Sequence, residues 1–153
     1  TSAGPTREGD FADTVALEGE LTVPHVVLRG SSGDALLRVG GLFEPWAEFV
    51  DERRKEPLVW RVAETLRSTL SLTLPAGATL GTLPAAASVD SKLGRYTLRW
   101  SRSGDAVVVE RELVRVARVV TPADFRELNR FLGDIRAAEH VAAVLTLPSE
   151  VRR

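Results

Sequence analysis

Residues 95–147 constrain the fold more than any other stretch. Tyr96, Leu98 and Trp100 alternate with Arg95, Thr97, Arg99 and Ser101. That is the period of two expected of a strand with one face on a core. The five residues SRSGD at 101–105 read as a turn by composition. A second strand is predicted over 106–120. Thr121 and Pro122 then open a helix, and an apolar run over 141–147 closes the domain. A helix that follows paired strands must bury its apolar stripe, and a sheet is the partner of the right size.

The helix is argued from its ends and its spacing. Thr121 suits the N-cap, where its hydroxyl can satisfy a free backbone N–H. Pro122 suits the first helical position because it has no N–H to leave unpaired. Asp124 favours the positive end of the helix dipole. Phe125, Leu128, Phe131, Leu132 and Ile135 recur at steps of three and four, a core-facing stripe. Glu139 falls on the same stripe, which predicts that the helix ends near it. Gly133 lies on the polar side and lowers helix propensity by about 1 kcal/mol.

The first half also reads as strands. Residues 14–23 (VALEGELTVP) alternate, with Val15, Leu17, Leu21 and Val23 on one side. The run GSSGD at 30–34 is a turn, and residues 35–39 form a strand pairing back onto 25–29 as a hairpin. Trp46, Phe49 and Val50 have helical spacing, and the charged run at 51–56 is a solvated loop ended by Pro57. Over 66–74, Leu66, Leu70, Leu72 and Leu74 share a face with Ser68. Arg67, Thr69, Ser71 and Thr73 take the other. Residues 78–91, interrupted by Pro84, read as an edge strand or extended loop. The fold predicted is mainly β: an antiparallel β-sandwich of six to eight strands with one amphipathic C-terminal helix packed on it. Residues 1–12 are a linker, 13–147 a single β-rich domain and 148–153 a tail.

Composition narrows the function. A net charge of -1 gives no field to attract nucleic acid or an anionic membrane surface. No run reaches the roughly 20 apolar residues of a membrane-spanning helix. The chain holds no methionine, and it opens on the polar run TSAGPTREGD. Both features fit a piece of a larger protein. The absence of cysteine excludes a disulfide framework and a thiol nucleophile.

No reaction motif replaces the thiol. His25 and His140 are isolated, whereas a metal site needs three or four convergent ligands and a catalytic histidine needs a nucleophile and an orienting partner. The run Ser31, Ser32, Gly33, Asp34 lacks the spacing of a nucleophile elbow. Asp10 and Asp13, and Asp51, Glu52 and Glu56, follow no calcium-loop order and read as solvated charge. Tyr96 and Trp100 share a strand face, with Trp46 and Trp60 elsewhere. A sugar or base could stack on such a row, but the alternation puts Tyr96 and Trp100 on the core side. Arg95, Arg99, Arg102, Arg111, Arg115 and Arg118 are interleaved with Glu110 and Glu112, and read as a solvated sheet face. No catalytic, cofactor-binding or metal-ligating residue is assigned, and no cofactor is expected.

The run GDAVVVERELVRVARVVTPADFRELNRFLGDIRAAEHVAAVLTL, together with the upstream EFVDERRKEPLVW, resembles the C-terminal β-rich domain of bacterial transglutaminase-like proteins. In that family the arginine before Pro57, here Arg53 or Arg54, and the aliphatic residues after it open the last domain. A charged strand, a proline-containing cap and an amphipathic helix close it. The similarity covers residues 44–147. It implies a domain of unknown function beside a papain-like Cys-His-Asp core, in an exported, periplasmic or secreted protein. This chain has no counterpart of those catalytic residues.

Three readings follow. The first is a non-catalytic accessory or interaction domain whose partner is the transglutaminase-like core of its own parent chain, or another protein. The second is an Ig-like adhesion or carbohydrate-binding module. The third is a small hydrolase built on scattered carboxylates.

Overall fold

The computed structural model describes residues 27–29, 34–40, 48–60, 64–74, 76–116 and 119–148. In chain order the elements are β1 (Val27–Arg29), β2 (Asp34–Arg38), β3 (Leu58–Val59), β4 (Glu64–Thr73), β5 (Thr79–Leu80), β6 (Ala87–Ser91), β7 (Gly94–Ser103), β8 (Ala106–Arg115) and β9 (Val119–Val120). A 3-10 turn, Pro122–Asp124, then leads into helix α1 (Phe125–Glu139), and β10 (Ala142–Thr146) follows. The alternating strand at 14–23 and the turn at 30–33 lie outside the described residues.

One four-stranded sheet has the order β1-β2-β10-β5 and another the order β4-β8-β7-β6. Every strand pair is antiparallel. The sheets face each other across one core. Ala35, Leu37, Ala143 and Leu145 come from the first sheet, and Tyr96, Leu98, Trp100, Val107, Val109 and Leu113 from the second. Phe131 and Ile135 of α1 join them. This is a sandwich with a helix packed on it, the architecture the alternation and the stripe predict.

A second, smaller core gathers Leu93, Val120, Phe125, Leu128 and Leu132, with Val50, Leu58 and Trp60 packed against it. It sits where the first turns of α1 meet the two-stranded ribbon formed by β3 and β9.

Backbone chemistry fixes the central hairpin. Ser103 lies opposite Ala106, so Gly104 and Asp105 alone make the turn, tighter than the five residues predicted. Gly104 has φ +61, the left-handed conformation that two-residue hairpins require. At the other end of the hairpin, a Cβ on Gly94 would lie 2.4 Å from the carbonyl oxygen of Val114. Only glycine permits that approach.

Three local expectations are corrected. The long strand predicted over 106–120 is two strands: β8 ends at Arg115, and Val119 and Val120 pair instead with Val59 and Leu58. Phe49 and Val50 are in irregular backbone, not helix. The side-chain amide of Asn129 binds that segment in place of a helical ladder: Val50 N–H donates to Oδ1 and Nδ2 donates to the Val50 carbonyl, each at 2.8 Å. The predicted Thr121 cap is also different. Its hydroxyl makes no bond to the helix backbone and donates to the Asp124 carboxylate at 2.7 Å.

Candidate functional site

The site is built from residues that the fold brings inward. On β8, Val107, Val109, Arg111 and Leu113 are two apart and all buried. Arg111 therefore projects a guanidinium into the sandwich. Tyr96 enters from the neighbouring strand β7, opposite Leu113. Glu139 closes the helical stripe and arrives from above the sheet. The three meet at one oxygen. Arg111 Nη1 donates to Glu139 Oε1 at 2.8 Å, and the Tyr96 hydroxyl donates to the same oxygen at 2.9 Å. Arg111 is 6% exposed, Glu139 7% and Tyr96 0%.

The electrostatics follow from that arrangement. Burial, then the negative charge of Glu139 beside it, push the Tyr96 phenol well up from its ordinary range, because both disfavour a tyrosinate. A phenol held neutral can only donate to Glu139. The trio ties the C-terminal turn of α1 to β7 and β8. At the other end of the helix, Lys92 Nζ meets Asp124 Oδ1 at 2.5 Å and Ser91 Oγ donates to Glu127 Oε1 at 2.9 Å. The hydrogen bond from Lys92, together with that from Thr121, holds the Asp124 carboxyl below its usual range. The β6–β7 turn thus latches the start of α1, and the buried trio latches its end.

Arg111 corrects the reading of the arginines as one solvated face. Arg115 corrects it too. It pairs with Glu64, and its guanidinium stacks over the Trp60 ring, 4.8 Å from the centroid. Burial lowers the Arg115 pKa from its ordinary value. The outward arginines behave as expected: Arg95 pairs with Asp90 at 2.6 Å, and Arg99 is exposed. Arg102 donates to the Gly104 carbonyl at 2.9 Å. Arg118 lies outside the described residues. The sequence carries the signal that was missed. Arg111 shares its parity with Val107, Val109 and Leu113, Glu139 shares a stripe with Phe131 and Ile135, and the two charges are opposite.

The other candidates do not converge. His140 ends α1 in an exposed position, with its ring Nδ1 2.6 Å from the carbonyl of Arg136. His25, Asp10, Asp13, Trp46 and residues 31–33 lie outside the described residues, while Asp34 opens β2. Asp51 pairs with Arg53 at 2.9 Å, Glu52 faces Arg126 at 3.5 Å and Glu56 offers its carbonyl to Arg54. Among the described residues no three His, Asp or Glu side chains cluster to hold a metal ion. Tyr96 and Trp100 (9% exposed) are both core residues, as their alternation predicts. A shallow hollow of about 360 Å³ is lined by Glu64, Thr65, Val114, Arg115 and Val116. Its two charged groups pair with each other.

The fold is similar to the crystal structure of a protein from Parabacteroides distasonis ATCC 8503 described as a putative protease, with a TM-score of 0.53 at 15% identity. The likeness covers 64% of this chain and 19% of the other, so this chain spans about a fifth of that protein's length. No curated protein matches the sequence. The family model described as Domain of Unknown Function with solved-structure structure, DUF3858, matches residues 41–145. With more than half of its residues in that match, the chain belongs to the DUF3858 family.

Proposed function

We propose that this domain is a non-catalytic accessory or interaction module of a larger, transglutaminase-like protein related to the papain-like cysteine hydrolases. The observation that carries this reading is the scale of the structural likeness. A similar fold, matched over 64% of this chain, makes up 19% of a much longer chain described as a putative protease. Two features support it. The chain has no cysteine to serve as an acyl-transfer nucleophile. Among the described residues, the buried charged groups Arg111 and Glu139 and the Tyr96 hydroxyl bond to one another across the helix–sheet junction, an arrangement suited to a scaffold. On this reading the parent is exported, to the periplasm or beyond, and the domain packs on its catalytic core or holds a partner for it.

The adhesion or carbohydrate-binding alternative is weakened by the burial of Tyr96 and Trp100, which removes the row of exposed rings it would need. The test is to read the polypeptide adjoining this domain and to delete the domain from it. A neighbouring core with a Cys-His-Asp constellation that keeps its chemistry after the deletion supports the accessory reading. An adjoining sequence with no such core contradicts the transglutaminase link.

A further inference from the structure

We propose that the outer edge of β4 is a homodimer interface, through which two copies join their sheets into one. Among the described residues no strand pairs with that edge, and the sheet ends there in the order β4-β8-β7-β6. The other edges are short or shielded. β1 has three residues and β5 two, while β6 has five and α1 packs beside it. β4 has ten residues, paired with β8 without a bulge from Glu64 opposite Arg115 to Thr73 opposite Ala106. It contains no proline or lysine, residues that commonly blunt an edge, and its two charged residues, Glu64 and Arg67, are paired with Arg115 and Glu112 of the neighbouring β8. Its core-side leucines, Leu66, Leu70 and Leu72, touch the main core but are only half-buried. The apolar face therefore continues to the rim, where another strand would extend it.

The occupant is a second copy because the edge is complementary to itself. A two-fold axis normal to the sheet keeps both core faces on the same side, and it must pass through one residue of each strand. An axis at Arg67 sets the two guanidiniums face to face, and one at Ser68 sets them on the diagonal, about 7–8 Å apart. An axis at Thr69 separates them by four residues, about 13 Å along the strand. It also places Thr69 opposite Thr69, Thr65 opposite Thr73 and Arg67 opposite Ser71 on the outer face. On the core face Leu66 meets Leu72 and Ser68 meets Leu70. Hydroxyl pairs and leucine pairs are favourable cross-strand neighbours, and no like charges meet. This register overlaps nine residues, whereas an axis at Leu70 leaves only seven.

The chain's lack of cysteine makes the test clean, since any disulfide in a single-cysteine variant joins two copies. At the axis, directly opposed Cα atoms lie about 4.5–5.5 Å apart, within disulfide reach. Two copies of Thr65 lie about 27 Å apart in the same register. The wild-type 153-residue chain should sediment as a dimer, Thr69→Cys should form a cross-linked dimer under mild oxidation, and Thr65→Cys should stay uncross-linked. Thr69→Lys, which opposes like charges at the axis, should lose the dimer while keeping the wild-type circular dichroism spectrum. A wild type that stays monomeric at every concentration would overturn the proposal. So would cross-linking of Thr65→Cys as readily as Thr69→Cys, or a Thr69→Lys variant that dimerises like wild type.

Discussion

Glu139 and Arg111, 28 positions apart in sequence, form an ion pair of 2.8 Å inside the junction between helix and sheet. A buried pair is fragile to the loss of one member, because the survivor keeps its desolvated charge. Removing one partner of such a pair costs about 3–5 kcal/mol, while apolar replacement of both is often close to neutral. Glu139→Ala and Arg111→Ala should each lower the urea midpoint sharply. Glu139→Leu combined with Arg111→Met should recover much of that loss. Single variants that melt like wild type would show that the pair does not anchor α1.

Tyr96 is the chain's one tyrosine, so its ionisation can be followed directly by tyrosinate absorbance. Its folded-state pKa is raised by burial and by Glu139. A raised value means stabilisation fully present below the unfolded pKa of about 10 and lost as pH rises above it. No tyrosinate signal should therefore appear in the folded protein between about pH 9 and 11, and stability should fall as pH climbs past about 10. A signal with an ordinary midpoint in folded protein would place the phenol in water.

Phe131 belongs to the main core and is 5% exposed. Phe131→Ala should destabilise the domain by about 3–5 kcal/mol, through lost transfer free energy and a residual cavity. A much smaller shift in the denaturant midpoint would mean that α1 is only loosely docked.

Gly133 lies inside α1, and a Cβ there meets nothing within 4 Å among the described residues. Its backbone is helical, so alanine fits without strain. Gly133→Ala should raise stability by up to about 1 kcal/mol, seen as a higher thermal midpoint. A lower midpoint would reveal a steric need for glycine at this turn.

Much of this fold is legible because single-face burial writes itself into the sequence. The alternation of Leu66, Leu70 and Leu72, and that of Tyr96, Leu98 and Trp100, mark β4 and β7. The stripe from Phe125 to Ile135 marks α1. What escapes the local pattern is set by partners distant in sequence. Val119 and Val120 leave β8 because Leu58 and Val59 pair with them. Phe49 and Val50 have helical spacing, yet Asn129, 79 residues beyond Val50, holds that backbone in another conformation. Thr121 reads as a cap, but the carboxylate of Asp124 takes its hydroxyl hydrogen. Arg111 reads as surface charge until Glu139 is placed opposite it. In each case the sequence names the residue types and only the tertiary fold names the partner.

On the proposed function, this domain positions or binds and does not itself catalyse. The most direct measurement incubates the purified chain with glutamine-donor and peptide substrates, with and without divalent metal ions, and follows turnover. The account predicts none, since acyl transfer of the papain-like kind needs a thiolate activated by a histidine, and the chain contains no cysteine. Turnover that survives repurification and disappears when His25 or His140 is replaced would contradict it.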